Sequence, residues 1–132
     1  MIPPFNSLGN LPPGIHPATL DQVEERFGQL SEIRQVQMDS LRWMVELAVR
    51  AGVTRIVLNG SFVTNIMEPN DVDCVLLAAD SVSDLAAETE LLSGLPFLEV
   101  LLVGQADFDE LSQVMFATDR DLHPKGMLEV VL

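Results

Sequence analysis

Residues 55–78 read RIVLNGSFVTNIMEPNDVDCVLLA, and the reading of this stretch decides the fold. The first strand spans Thr54 to Leu58, apolar and β-branched, and Asn59-Gly60-Ser61 breaks the run as a strand ending in a turn would. Phe62 to Ile66 suits a helical turn, and Glu68-Pro69-Asn70 suits a tight loop. A second strand then runs from Asp71 to about Ala79. Alternate residues of a strand share a face, so Asp71 and Asp73 project side by side while Cys74 turns toward the core. Two carboxylates held that close repel one another, an arrangement a fold tolerates where a cation sits between them. Gly60, without a side chain, lets the backbone approach a ligand, and Ser61 offers a hydroxyl and an amide. A polar strand start and an ordinary turn glycine would leave the same marks.

Gly60-Ser61, a spacer of nine residues, then Asp71-Val72-Asp73-Cys74 resembles the signature of the nucleotidyltransferase superfamily. More narrowly, the chain resembles a family of short, uncharacterised bacterial nucleotidyltransferase-like proteins. That likeness extends to the opening LPPGIHPATLDQVEERFG, to NGSFVTNIMEPNDVDCVLL and to the closing DRDLHPKGMLEVVL. It implies nucleotidyl transfer: a hydroxyl attacks the α-phosphate of a nucleoside triphosphate, pyrophosphate leaves, and carboxylate-held Mg²⁺ or Mn²⁺ stabilises both oxygens. Asp71 and Asp73 would be metal ligands and catalytic groups, with Gly60 and Ser61 handling phosphate. The superfamily also implies a third carboxylate on a neighbouring strand. Glu99, inside the apolar run FLEVLLV, is the acid available for it. The usual residue there is Asp, and Glu reaches one methylene further. An isolated Glu in a buried strand is costly unless paired or ligating, whereas at a sheet edge it would simply face water.

Triphosphate needs positive charge, which makes Arg120 and Lys125 the next candidates for nucleotide binding. Lys125 stands where the resembled family also carries Lys-Gly. Either could equally be a solvated loop charge. His123 could serve as a base, but no spacing ties it to the aspartates, and His16 reads as a structural or solvent-facing group.

The chain has 132 residues and a net charge of −13, from twenty acids against seven bases, which sets it against phosphate backbones. The bases Arg26, Arg34, Arg42, Arg50, Arg55, Arg120 and Lys125 are scattered singly, and with no Tyr and one Trp a base-stacking platform is not expected. Nucleic acid is therefore disfavoured, while a cation or a basic protein partner suits the charge; solubility alone also accounts for it. Hydrophobic residues at 48% exclude disorder for the body of the chain. No apolar run approaches the ~20 residues needed to span a membrane. The opening MIPPFNSLGNLPPG lacks the basic start and apolar core of a signal peptide. The single cysteine fits a cytoplasmic location.

Residues 1–17 are proline-rich and are expected as an extended arm, which Phe5 and Ile15 could pin to the body, with residues 18–132 as one domain. Thr19 and Gln22 form a capping box opening a helix to about Phe27. A long helix follows from about Ser31 to Ala51, with Ile33, Val36, Leu41, Met44, Leu47 and Ala48 at helical spacing. A third helix is capped by Ser81 and Asp84 and reaches about Leu92; a strand covers Phe97 to Val103. A last helix is expected from Asp107 to about Ala117, then loop, then a strand from Met127 to Leu132. The economical architecture is α/β (α+β), a mixed sheet of about four strands with helices mainly on one face.

The expected activity is metal-dependent transfer of a nucleoside monophosphate from NTP to a hydroxyl of a protein or small molecule. The chain lacks a second domain to hold base and acceptor, which a partner or a homodimer would supply. The alternative is a catalytically inactive binding module of the same fold, such as an antitoxin-like or regulatory protein that uses its acidic face on a basic partner.

Overall fold

The computed structural model describes residues 2–81, 83–115, 121 and 123–132. In chain order the elements are β1 Gly14–Ala18, α1 Leu20–Phe27, α2 Glu32–Arg50, β2 Arg55–Asn59, a 3-10 turn Ser61–Val63 and β3 Val72–Leu77. They continue with α3 Leu85–Leu92, β4 Leu98–Val103, α4 Gln105–Glu110 running on as a π-helical turn Leu111–Met115, and β5 Gly126–Val130.

Local chemistry sets the helix ends. Thr19 Oγ1 accepts from the Gln22 amide at 3.2 Å and the Gln22 side chain accepts from the Thr19 amide at 2.9 Å, completing the expected capping box. Ser31 caps α2, and Asp84 caps α3 by accepting from the Ala87 amide at 3.0 Å. The last helix starts at Gln105, two residues before its expected beginning, because Gly104 takes the extended N-cap conformation. Its expected end at Ala117 lies outside the described residues.

The sheet runs β1-β5-β2-β3-β4, and it is mixed: β2 is antiparallel to β5 and β3, while β1 with β5 and β3 with β4 are parallel. Its five strands are one more than expected. The extra one is β1, whose five residues lie across the expected boundary between arm and domain at residue 17. Proline cannot donate to a ladder, but at an edge one flank needs no partner, so Pro17 fits there and pairs with Glu129. The arm is also sealed into the fold: Leu11 is fully buried in the main core, and its carbonyl accepts from the Gly126 amide at 2.9 Å.

One sheet face, with Ile56, Leu58, Cys74, Leu76 and Leu128, packs with residues of α1, α2 and α3 into the main core. The other carries Val57, Val75, Leu77 and Met127 under Phe108 of α4. Helices therefore lie mainly on one face, as expected. Among the described residues no helix is long and apolar enough to cross a membrane.

Candidate active site

Register lines up three polar side chains across three strands. Asn59 of β2 pairs with Asp73 of β3, and Asp73 pairs with Glu99 of β4. The next row on that face is apolar, Val57, Val75 and Leu101, where α4 begins to cover the sheet. The Asn59–Asp73–Glu99 row thus lies at the sheet end carrying the C-terminus of β2 and the N-termini of β3 and β4.

Gly60 follows Asn59 with φ of +78°, a region L side chains avoid. A Cβ on Gly60 would lie 2.0 Å from Asp73 Oδ2, so the turn backbone rests directly against the carboxylate. Ser61 then opens the 3-10 turn. Asn10, Asn59, Gly60, Ser61, Asp73 and Lys125 line one cleft of about 650 Å³. The sequence separates these residues widely; the parallel β1–β5 pairing and the antiparallel β5–β2 pairing bring the segments before β1 and β5 to the turn after β2.

The electrostatics centre on Asp73. Its carboxyl is pushed up to about 6, first by burial, then by the charge of Glu99, its hydrogen bond with Glu99, and the charge of Asp71; Lys125 pulls the other way. Glu99 is exposed on an edge strand rather than buried, which removes the expected cost of hiding it, yet it remains bonded to Asp73. Asp71, just ahead of β3, is exposed. It reaches Asp73 through its charge, and the described residues contain no group of three or more His, Cys, Asp or Glu side chains set to hold a metal ion. Gly60, Ser61, Asp73 and Lys125 are thus brought into one cleft. Glu99 stands on the outer side of Asp73, Asp71 at the loop end, and Arg120 lies outside the described residues. Cys74 is buried in the main core, where its thiol is pushed up by burial, and it takes no part.

Three residues escaped the sequence reading. Arg34 of α2 is fully buried, and its guanidinium donates to the carbonyls of Phe62 at 2.7 Å, Thr64 at 2.9 Å and Phe27 at 3.1 Å, and also to that of Ile66. These carbonyls belong largely to the loop that follows Gly60-Ser61, so a cation from α2 fixes the turn from beneath. Gln37 Nε2 donates to Pro69 O at 2.6 Å and Ser31 Oγ to Met67 O at 2.9 Å, pinning the rest of the loop. The signal was present: Arg34 and Gln37 are polar residues on the stripe that Leu41, Met44 and Ala48 continue. Asn59 is the third, with 2% exposure, and its Oδ1 has no hydrogen-bond partner among the described residues. A buried acceptor left open is costly unless a ligand donor or water completes it.

Over residues 3–131 the chain matches the model of a family described as a family of unknown function (DUF6932), and it belongs to that family. No curated protein and no solved structure matches it significantly.

Proposed function

We propose that the chain is a metal-dependent nucleotidyltransferase that moves a nucleoside monophosphate from NTP to a hydroxyl of a protein or small molecule. The observation that carries this reading is the seating of Gly60 against Asp73: a positive-φ glycine, followed by a serine, with no room for a Cβ beside the carboxylate. A turn so placed offers backbone and hydroxyl donors to phosphate within the same cleft as an acid and Lys125.

The donor set agrees in kind with a hard divalent ion. Asp73 and Glu99 are carboxylates paired across β3 and β4, with Asp71 within electrostatic reach. Asp71, Asp73 and Glu99 would hold Mg²⁺ or Mn²⁺, which would supply charge stabilisation to the attacking and leaving oxygens. The chain's own residues would do the rest. Ser61 and the Gly60 backbone orient the phosphates, and Lys125 offsets their charge. As the acceptor oxygen bonds to the α-phosphorus and pyrophosphate leaves, the hydroxyl proton passes to the Asp73–Glu99 pair. The buried cysteine fits a cytoplasmic setting. Arg120 belongs to the same proposal as a second phosphate contact.

One observation favours the second reading, a binding module without catalysis: Asp71 and Glu99 are both exposed, and the described residues contain no group of three acids set for a metal. An antitoxin-like or regulatory role, with a basic partner or a second copy, would follow. Labelled ATP, GTP, CTP and UTP, incubated with the protein, Mn²⁺ and host lysate, separate the two. The enzyme yields a labelled product that disappears in Asp71→Ala and Asp73→Ala. No label in any arm, with co-purifying proteins added back, removes the enzyme reading.

A further inference from the structure

Beyond the sheet-end cleft, α2 presents a second organised surface. Its exposed residues Glu32, Val36, Asp39, Trp43, Glu46 and Arg50 follow alternating steps of four and three, the spacing of a single seam along a helix. Acids occupy 32, 39 and 46, while Val36 and Trp43 lie between them at 43% exposure each. Arg50 is taken by Asp84 at 3.2 Å, whereas among the described residues none of Glu32, Asp39 or Glu46 is in an ion pair. The main core is packed by the opposite side of α2, and none of Glu32, Val36, Asp39, Trp43 or Glu46 takes part in it. Beside it a groove of about 550 Å³, with Glu24, Gln35 and Asp39 among its walls, opens between α1 and α2.

An indole and a valine left 43% exposed gain from further cover, and the interleaved acids decide what can supply it. A second copy does not fit. Paired parallel, the seam sets Glu32, Asp39 and Glu46 against themselves; paired antiparallel about its centre, it buries Asp39 against Trp43 and Glu46 against Val36, and its one cation, Arg50 opposite Glu32, is already held by Asp84. We infer that this seam docks a basic amphipathic helix of a partner protein, with Lys or Arg opposite Glu32, Asp39 and Glu46 and aliphatic side chains over Val36 and Trp43. The three acids span about 21 Å along the axis, so roughly four turns of partner helix suffice. The inference stands whether or not the sheet-end cleft is catalytic.

Trp43 is the protein's single tryptophan, and it reports the test directly. The probe is a synthetic amphipathic helical peptide carrying Lys and Leu in the matching pattern, with a copy bearing Glu for Lys as control. Titrating the full chain with the Lys peptide should shift Trp43 emission to the blue at micromolar concentrations, less so at high salt, while the Glu peptide leaves it unchanged. The triple variant Glu32→Lys, Asp39→Lys and Glu46→Lys should weaken binding by roughly tenfold or more. A second triple variant, Asp80→Lys, Glu90→Lys and Glu110→Lys, changes net charge equally on other elements and should bind as the wild type does. Far-UV circular dichroism checks that both variants fold, as exposed substitutions should. An unshifted emission, equal loss in the two triple variants, or a wild-type dimer that already buries Trp43 would each overturn the inference.

Discussion

At the scale of single residues, Asp73 and Gly60 carry opposite thermodynamic signs. The folded state holds the Asp73 proton more tightly than the unfolded chain does, with its pKa raised from 3.8 to about 6. Folded protein therefore keeps a proton that the unfolded chain has released, and stability falls as pH rises through that window. Asp73→Asn should match wild type near pH 4 and exceed it at pH 7. The expected gain is about 1 kcal/mol, a figure discounted for the solvent screening of a half-exposed group. Urea unfolding at the two pH values checks this, and a mutant less stable than wild type at pH 7 contradicts it. Gly60 works the other way. Gly60→Ala meets both a positive φ and the Asp73 carboxylate, whereas Gly94→Ala, at φ of +100°, meets nothing within 4 Å. The first should cost more than the second, each carrying roughly 1–3 kcal/mol for the backbone alone. Equal losses in thermal denaturation would mean that Gly60 is not pressed against the acid. The glycine was legible because Asn-Gly-Ser interrupts a β-branched run. Its contact with Asp73 was not, because a nine-residue spacer leaves the return path open.

At the scale of elements, reading from sequence succeeded where a local rule has one outcome. Thr19 and Gln22 bond each other's backbone within one turn, so their box needs no tertiary partner. It failed at β1, where proline content pointed to an extended arm outside the domain and only the edge position makes a strand of Gly14–Ala18. Arg34 was missed for a related reason: its acceptors are backbone carbonyls of Phe27, Phe62, Thr64 and Ile66, which carry no side-chain code. Glu99 was placed on a strand with burial and an edge position both left open; its exposure followed from β4 being an edge, a property of strand order rather than of FLEVLLV. The arm's part in the fold gives a direct prediction. Leu11 is fully buried, so Leu11→Ala should cost roughly 2–5 kcal/mol. Chemical denaturation measures it, and a neutral substitution would show the arm to be an appendage after all.

At the scale of the molecule, an excess of thirteen negative charges surrounds a cleft in which Lys125 is the cation among the described lining residues and Arg34 lies buried beneath the loop. Such a surface repels a free triphosphate and favours one arriving with a divalent ion. Catalysis in this cleft therefore depends on whether Asp73 is part of a metal site. The measurement that tests this most directly is Mn²⁺ titration followed by electron paramagnetic resonance, with a non-hydrolysable ATP analogue present, on wild type and Asp73→Asn. Wild type should deplete the free Mn²⁺ signal beyond the depletion caused by nucleotide alone, and the variant should do so roughly tenfold more weakly. Equal depletion by both proteins, or none by either, would contradict a metal site at Asp73.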